Sequence, residues 1–242
     1  MMLYVRDPDA YEFDPRFEVV ELGAGTGAAG LAPAAAHPHA RVVLTDLPEV
    51  CPLLQANARG YAGIGVRPLS WGCAAHAQAL QAEFGLIPIS CVICSDLVCP
   101  RAIISWPLVL KRDARGYVYF PELLAPLLRT LLHLTATADP RIVISYKIRS
   151  LTKEIAFWSA FGLWFTFAPV LVRARSGSGW ERFGAGEDRE VFVFTARRRP
   201  ESFSWSAPED DTALLEDVGA WGMKERKGDD AFELFLLMSI DE

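Results

Sequence analysis

The first residues in this sequence that could do chemistry are a carboxylate and a set of alternating glycines. They lie in VVELGAGTGAAG, Val19 to Gly30, where Glu21 is followed by Gly23, Ala24, Gly25 and Gly27. Glycines between a strand and a helix let the backbone approach a ligand closely and aim amide groups at it. A second carboxylate, Asp46, ends the next apolar run and is followed by Leu47. Three kinds of ligand compete for such a loop. A nucleoside triphosphate needs Lys-Ser or Lys-Thr after the glycines, and neither follows. A dinucleotide fits in form, because Gly23, Gly25 and Ala28 satisfy G-x-G-x-x-A and Asp46 lies at the right remove for a ribose. Glu21 argues against it: a carboxylate at the mouth of the strand repels a pyrophosphate and suits a ligand with a cationic amino-acid part.

The elements that must position these residues follow from the apolar pattern. Phe17 to Leu22 reads as a short buried strand, and Ala28 to Ala36 as a helix expected to kink or stop at Pro33. Arg41 to Asp46 is a second strand, Glu49 to Arg59 a helix and Val66 to Ser70 a third strand. Ile89 to Val98 is nearly all apolar, as suits a strand covered on both faces. Leucines at 123, 124, 127, 128, 131 and 132 mark one face of a helix over Pro121 to Leu134. Arg141 to Tyr146 is the next strand and Thr152 to Phe161 a helix. Phe165 to Val172 and Glu190 to Ala196 form a closing hairpin. The alternation predicts an α/β fold: a mainly parallel sheet with helices on both faces, ligands binding beyond the carboxyl ends of its strands. Residues 200–242 form an extension with two short helical pieces, Glu209 to Val218 and Asp230 to Ile240, and no chemistry of their own.

The signature E-x-G-x-G-x-G, Glu21 to Gly27, resembles motif I of the seven-β-strand methyltransferases, with a Rossmann-like class I fold. The resemblance implies S-adenosyl-L-methionine (SAM) as cofactor. Glu21 would hold its amino-acid part through bridging hydrogen bonds, Gly23, Ala24, Gly25 and Gly27 would cradle it, and Asp46, with Leu47 beside it, would hold both ribose hydroxyls. Leu69-Ser70-Trp71-Gly72 and Ser95-Asp96-Leu97-Val98 are similar to the L-x-W-G and D-x-x-Y motifs of the family-16 protein lysine methyltransferases. On that likeness, which spans about Phe17 to Arg199, Trp71 meets the adenine, Ser95 lines the cofactor site and Asp96 lies by the methyl-transfer site. The implied domain is residues 1–199. The implied partner is a protein, such as a chaperone or a translation elongation factor.

Two departures bear on activity. The aromatic expected after Asp96-Leu97-Val98 is displaced to Tyr119, and deleting Cys99 to Val118 restores SDLVYFPELL in register. This segment reads as an insertion, one source of which would be a retained intron translated in frame. Asp96 and Tyr119 together are the candidates for orienting and desolvating a lysine amine. Before motif I, where the family has a β-hairpin and a helix with a SAM-contacting Trp, only Met1 to Arg16 is present, so one wall of the pocket is expected to be missing.

Other classes are disfavoured. A net charge of −6 works against nucleic acid as partner, and Arg197 to Arg199 reads as a solvated strand end. An N-P-P-Y type motif for base amino groups is lacking, and Ser176 to Gly179 does not form a G-x-S-x-G elbow. Cys91 and Cys94 have C-x-x-C spacing, but three residues apart on a strand they point to opposite faces, so no metal is expected. Five cysteines without an N-terminal apolar leader fit a reducing cytosol or nucleus, and no apolar run is long enough for a bilayer. Two alternatives to a protein lysine methyltransferase stay open: a small-molecule N-methyltransferase, and a methyltransferase fold kept as a binding module.

Overall fold

A computed structural model of the chain describes residues 18–85, 87–95, 121–147, 151–173, 180–183, 191–215 and 231–238. The strands are β1 (Glu18–Leu22), β2 (Arg41–Asp46), β3 (Ile64–Pro68), β4 (Cys91–Ser95), β5 (Arg141–Lys147), β6 (Phe165–Pro169), β7 (Leu171–Arg173), β8 (Trp180–Arg182) and β9 (Val191–Arg198). The helices are α1 (Ala28–Ala36), α2 (Cys51–Asn57), α3 (Ala74–Phe84), α4 (Leu124–Leu134), α5 (Leu151–Trp164), α6 (Asp211–Leu215) and α7 (Ala231–Met238). Seven strands form one sheet in the order β3-β2-β1-β4-β5-β9-β6. β1 to β5 run parallel, and β9 lies antiparallel between β5 and β6. The expected mainly parallel sheet with a closing hairpin is the observed one.

Strand order reverses at β1, whose neighbours are β2 on one side and β4 on the other. The crevice beyond the carboxyl ends of β1 and β4 is therefore where a ligand has room. Alternation along the strands divides the core in two. Val20, Leu22, Val92, Cys94 and Ile144 pack with Leu128, Leu131, Trp158 and Phe161 of α4 and α5. Val19, Leu44, Cys91 and Ile93 pack on the other face with Ala34 of α1 and Leu54 of α2. Cys91 and Cys94 thus fall in opposite cores, and burial pushes the Cys91 thiol up to about 12.

Several local expectations need correction. α1 does not stop at Pro33 but continues to Ala36, with the His37 amide donating to the Pro33 carbonyl. The proline ring is buried, and it removes only one backbone donor. β3 lies two residues earlier than expected, and α3 was not anticipated at all. The last long run does not stay in one strand. β6 ends at Pro169, and Leu171–Arg173 pairs instead with Trp180–Arg182 in a separate two-stranded ribbon.

Arg198 is no solvated strand end. It is buried, donates to the carbonyl of Leu132 at the end of α4 and to Thr135 Oγ1, and also reaches Ser202. The described parts of the extension likewise join the core beside α4 and α5. Leu214 is buried there, and Phe232 stacks on Trp158 with 4.8 Å between ring centres. Arg129 of α4 anchors the same stretch through the carbonyls of Pro208 and Glu209 and the carboxylate of Asp211.

Candidate cofactor site

The loop after β1 turns at Gly23, Gly25 and Gly27, with φ of 61°, 56° and 82°. L residues with side chains rarely adopt this region, which explains the alternating glycines. The turn is fixed from several directions. Gly27 donates its amide to the Ala24 carbonyl, Ala24 donates to Thr45 in β2, and Asn57 of α2 donates to the Thr26 carbonyl.

Asp46 is the meeting point of three loops. Its Oδ2 accepts the Gly25 amide at 2.7 Å and its Oδ1 accepts the Leu47 amide at 2.7 Å. Its carbonyl accepts the amide of Leu69, which opens the Leu69-Ser70-Trp71-Gly72 stretch. Each carboxylate oxygen can accept about two bonds, so Asp46 keeps acceptor capacity beyond these amides. It is half-buried, and Leu47 beside it is exposed. A ligand with two adjacent hydroxyls and an apolar ring fits this pairing. Trp71 is half-buried against the core, and the loop that holds it is tied to α4 by the Gly72 amide, which donates to Thr130 Oγ1 at 2.7 Å.

Glu21 is placed differently from the others. It points to the α1 side of the sheet, is 0 % exposed, and both its oxygens are engaged. Oε2 accepts the Gly30 amide at 2.8 Å and Oε1 accepts the Ser95 hydroxyl at 2.8 Å. Burial, joined by the charge of nearby Asp46, raises its pKa to about 7 against the lowering by these two hydrogen bonds. The β1–β4 register sets Glu21 opposite Ile93, so Ser95 is two residues along on the same face.

Two residues of this network were not singled out from the sequence. Gly30 lies so close to the sheet that a Cβ there would come 2.4 Å from Leu44 Cδ2 and 2.7 Å from Glu21 Oε2. Thr45, fully buried, donates its hydroxyl to the Glu21 carbonyl at 2.7 Å. Gly30 was visible as the last glycine of the motif; Thr45 gave no signal. Glu21, Gly23, Ala24, Gly25, Gly27, Asp46, Leu47 and Ser95 come together at the carboxyl ends of β1, β2 and β4, and Trp71 follows β3 at the same edge. Asp96, Tyr119 and the whole 99–118 segment lie outside the described residues, as do residues 1–17. Among the described residues no group of His, Cys, Asp and Glu forms a metal cluster, and no helix is long and apolar enough to cross a membrane.

Residues 8–109 match the model of a lysine methyltransferase family, a stretch that contains β1 to β4 and ends inside the 99–118 segment. No curated protein sequence matches the chain. Among solved structures it is similar to a predicted O-methyltransferase of Agrobacterium tumefaciens, at 20 % identity and a TM-score of 0.47 over 81 % of this chain and 79 % of that one. It is also similar to a precorrin-6y C5,15-methyltransferase of Geobacter metallireducens, at 14 % and 0.41 over 81 % and 86 %. A third is human N-acetylserotonin methyltransferase in complex with SAM, at 13 % and 0.46, covering 78 % of this chain and 49 % of that one. The strand order itself defines the fold. Residues 8–109, somewhat under half of the chain, carry the pattern of a lysine methyltransferase family on a sheet of this order.

Proposed function

We propose that the chain transfers a methyl group from SAM to the side-chain amine of a lysine in a protein substrate. The observation that carries this reading is the match of residues 8–109 to a lysine methyltransferase family on a loop tied to Asp46. A chaperone or a translation elongation factor is the kind of substrate the family resemblance suggests. In this reading Asp46 takes the two ribose hydroxyls, Leu47 and Trp71 flank the adenine, and the turn through Gly23, Ala24, Gly25 and Gly27 faces the amino-acid part. Ser95 ends the strand that leads to the reacting atoms.

Bound SAM supplies a methyl already activated on a cationic sulfur, so the protein's work is alignment and exclusion of water. The lysine must lose its proton so that the nitrogen lone pair can form the new bond as the carbon–sulfur bond breaks. Asp96 and Tyr119 are the groups we assign to orient that amine and favour its neutral form. Incubating the chain with tritiated SAM and a protein extract, followed by acid hydrolysis, should yield labelled methyllysine. Label confined to a small molecule would replace this reading with small-molecule methylation, and no transferred label would leave a binding module.

A further inference from the structure

We propose that Glu21 is a positioning residue, acting on the ligand through the Gly30 amide and the Ser95 hydroxyl instead of through a charge contact of its own. This rests on the reading that the pocket takes SAM. Glu21 is 0 % exposed, and its two oxygens are held by two different elements, the first turn of α1 and the end of β4. The contact with α1 is close: any Cβ on Gly30 would sit 2.7 Å from Glu21 Oε2. Held between helix and sheet in this way, the carboxylate fixes where the glycine turn ends and where β4 stops. Those two places bound the crevice, so locking them together sets the distance across it.

Nothing in these two bonds requires a negative charge. An amide carbonyl can also accept the Gly30 amide, and an amide NH2 can donate to Ser95 Oγ. Among the described residues, the titratable groups coupled to Glu21 are Asp46 from β2, which raises its pKa, and Cys94, whose thiol lies on the other face of the sheet and whose own pKa Glu21 helps to raise. Burial with a like-charged neighbour disfavours the ionised form, which agrees with a residue that serves by hydrogen bonding.

The test is SAM affinity by calorimetry for the intact chain, Glu21→Gln and Glu21→Ala, well below each melting temperature and from pH 6 to 8. Glu21→Gln should bind within about threefold of the parent with a parallel pH profile, and Glu21→Ala on the order of tenfold more weakly. Rescue by glutamine marks positioning; a purely structural role would lower the melting temperature of Glu21→Ala and leave its affinity intact, which overturns the inference. Glu21→Gln binding as poorly as Glu21→Ala would show a charge contact and overturn it too. If Glu21→Ala fails to fold, Glu21→Gln decides alone, and its own failure to fold or to bind counts against the inference. Absence of SAM binding by the parent chain would instead overturn the cofactor reading beneath it.

Discussion

The carboxylate of Asp46 accepts the amide proton of Gly25 at 2.7 Å, joining the end of β2 to the turn that follows β1 across 21 residues of sequence. One side chain therefore shapes the glycine turn and, in the proposed reading, offers its remaining lone pairs to the cofactor. Asp46→Ala removes both at once. We expect a loss on the order of 2 to 3 kcal/mol in SAM affinity, as for charge-assisted hydrogen bonds. Equal affinity in mutant and parent by calorimetry would contradict the role given to Asp46.

Gly30 and Gly60 offer a paired test of packing against backbone strain. A Cβ at Gly30 would collide with Leu44 and Glu21, whereas Gly60, at φ of 90°, has nothing within 4 Å of one. Gly30→Ala should destabilise by roughly 1 to 3 kcal/mol through overpacking and weaken SAM binding as well. Gly60→Ala should cost about 1 to 2 kcal/mol from strain alone and leave binding unchanged. Urea unfolding with SAM titration on both variants checks the contrast, and a Gly30→Ala protein with parent-like stability would refute the packing.

Glu21 makes stability depend on pH in a definite direction. Its pKa in the folded chain lies near 7, above the ordinary 4.5, so between these values the folded state holds a proton that the unfolded state has released. Stability from this group is complete below the ordinary value and is lost as pH rises toward 7, by roughly 3 kcal/mol when the loss is complete. The stability difference between parent and Glu21→Gln should therefore move in favour of Glu21→Gln from pH 5 to pH 8. A difference that stays constant over that range would show that Glu21 titrates normally.

Phe232 belongs to the extension by sequence and to the core by position. It is 0 % exposed between Trp158, Tyr146 and Phe194. Phe232→Ala should cost about 3 to 5 kcal/mol of unfolding free energy. Denaturant unfolding close to that of the parent would detach residues 231–238 from the core.

The sheet, the glycine turn and the place of Asp46 at the end of β2 were readable in the sequence because they rest on strong local constraints. Three glycines at positive φ and a nearly all-apolar strand leave few alternatives. What escaped depends on tertiary contacts. The buried stripe of α3, Ala77, Leu80 and Phe84, is masked by alanines all round the helix. Arg198 looks solvated among three arginines, yet α4 ends where its guanidinium can meet the Leu132 carbonyl and Thr135, so burial is compensated by hydrogen bonds. For the same reason the sequence could place Glu21 at the mouth of β1 but could not show that Gly30 and Ser95 both reach it.

The most direct measurement is a calorimetric titration of the intact chain with SAM and, separately, with NAD. The glycine turn, Asp46 and the buried Glu21 together lead us to expect saturable SAM binding and none of comparable strength for NAD. Tight NAD binding without SAM binding would contradict the account at its centre.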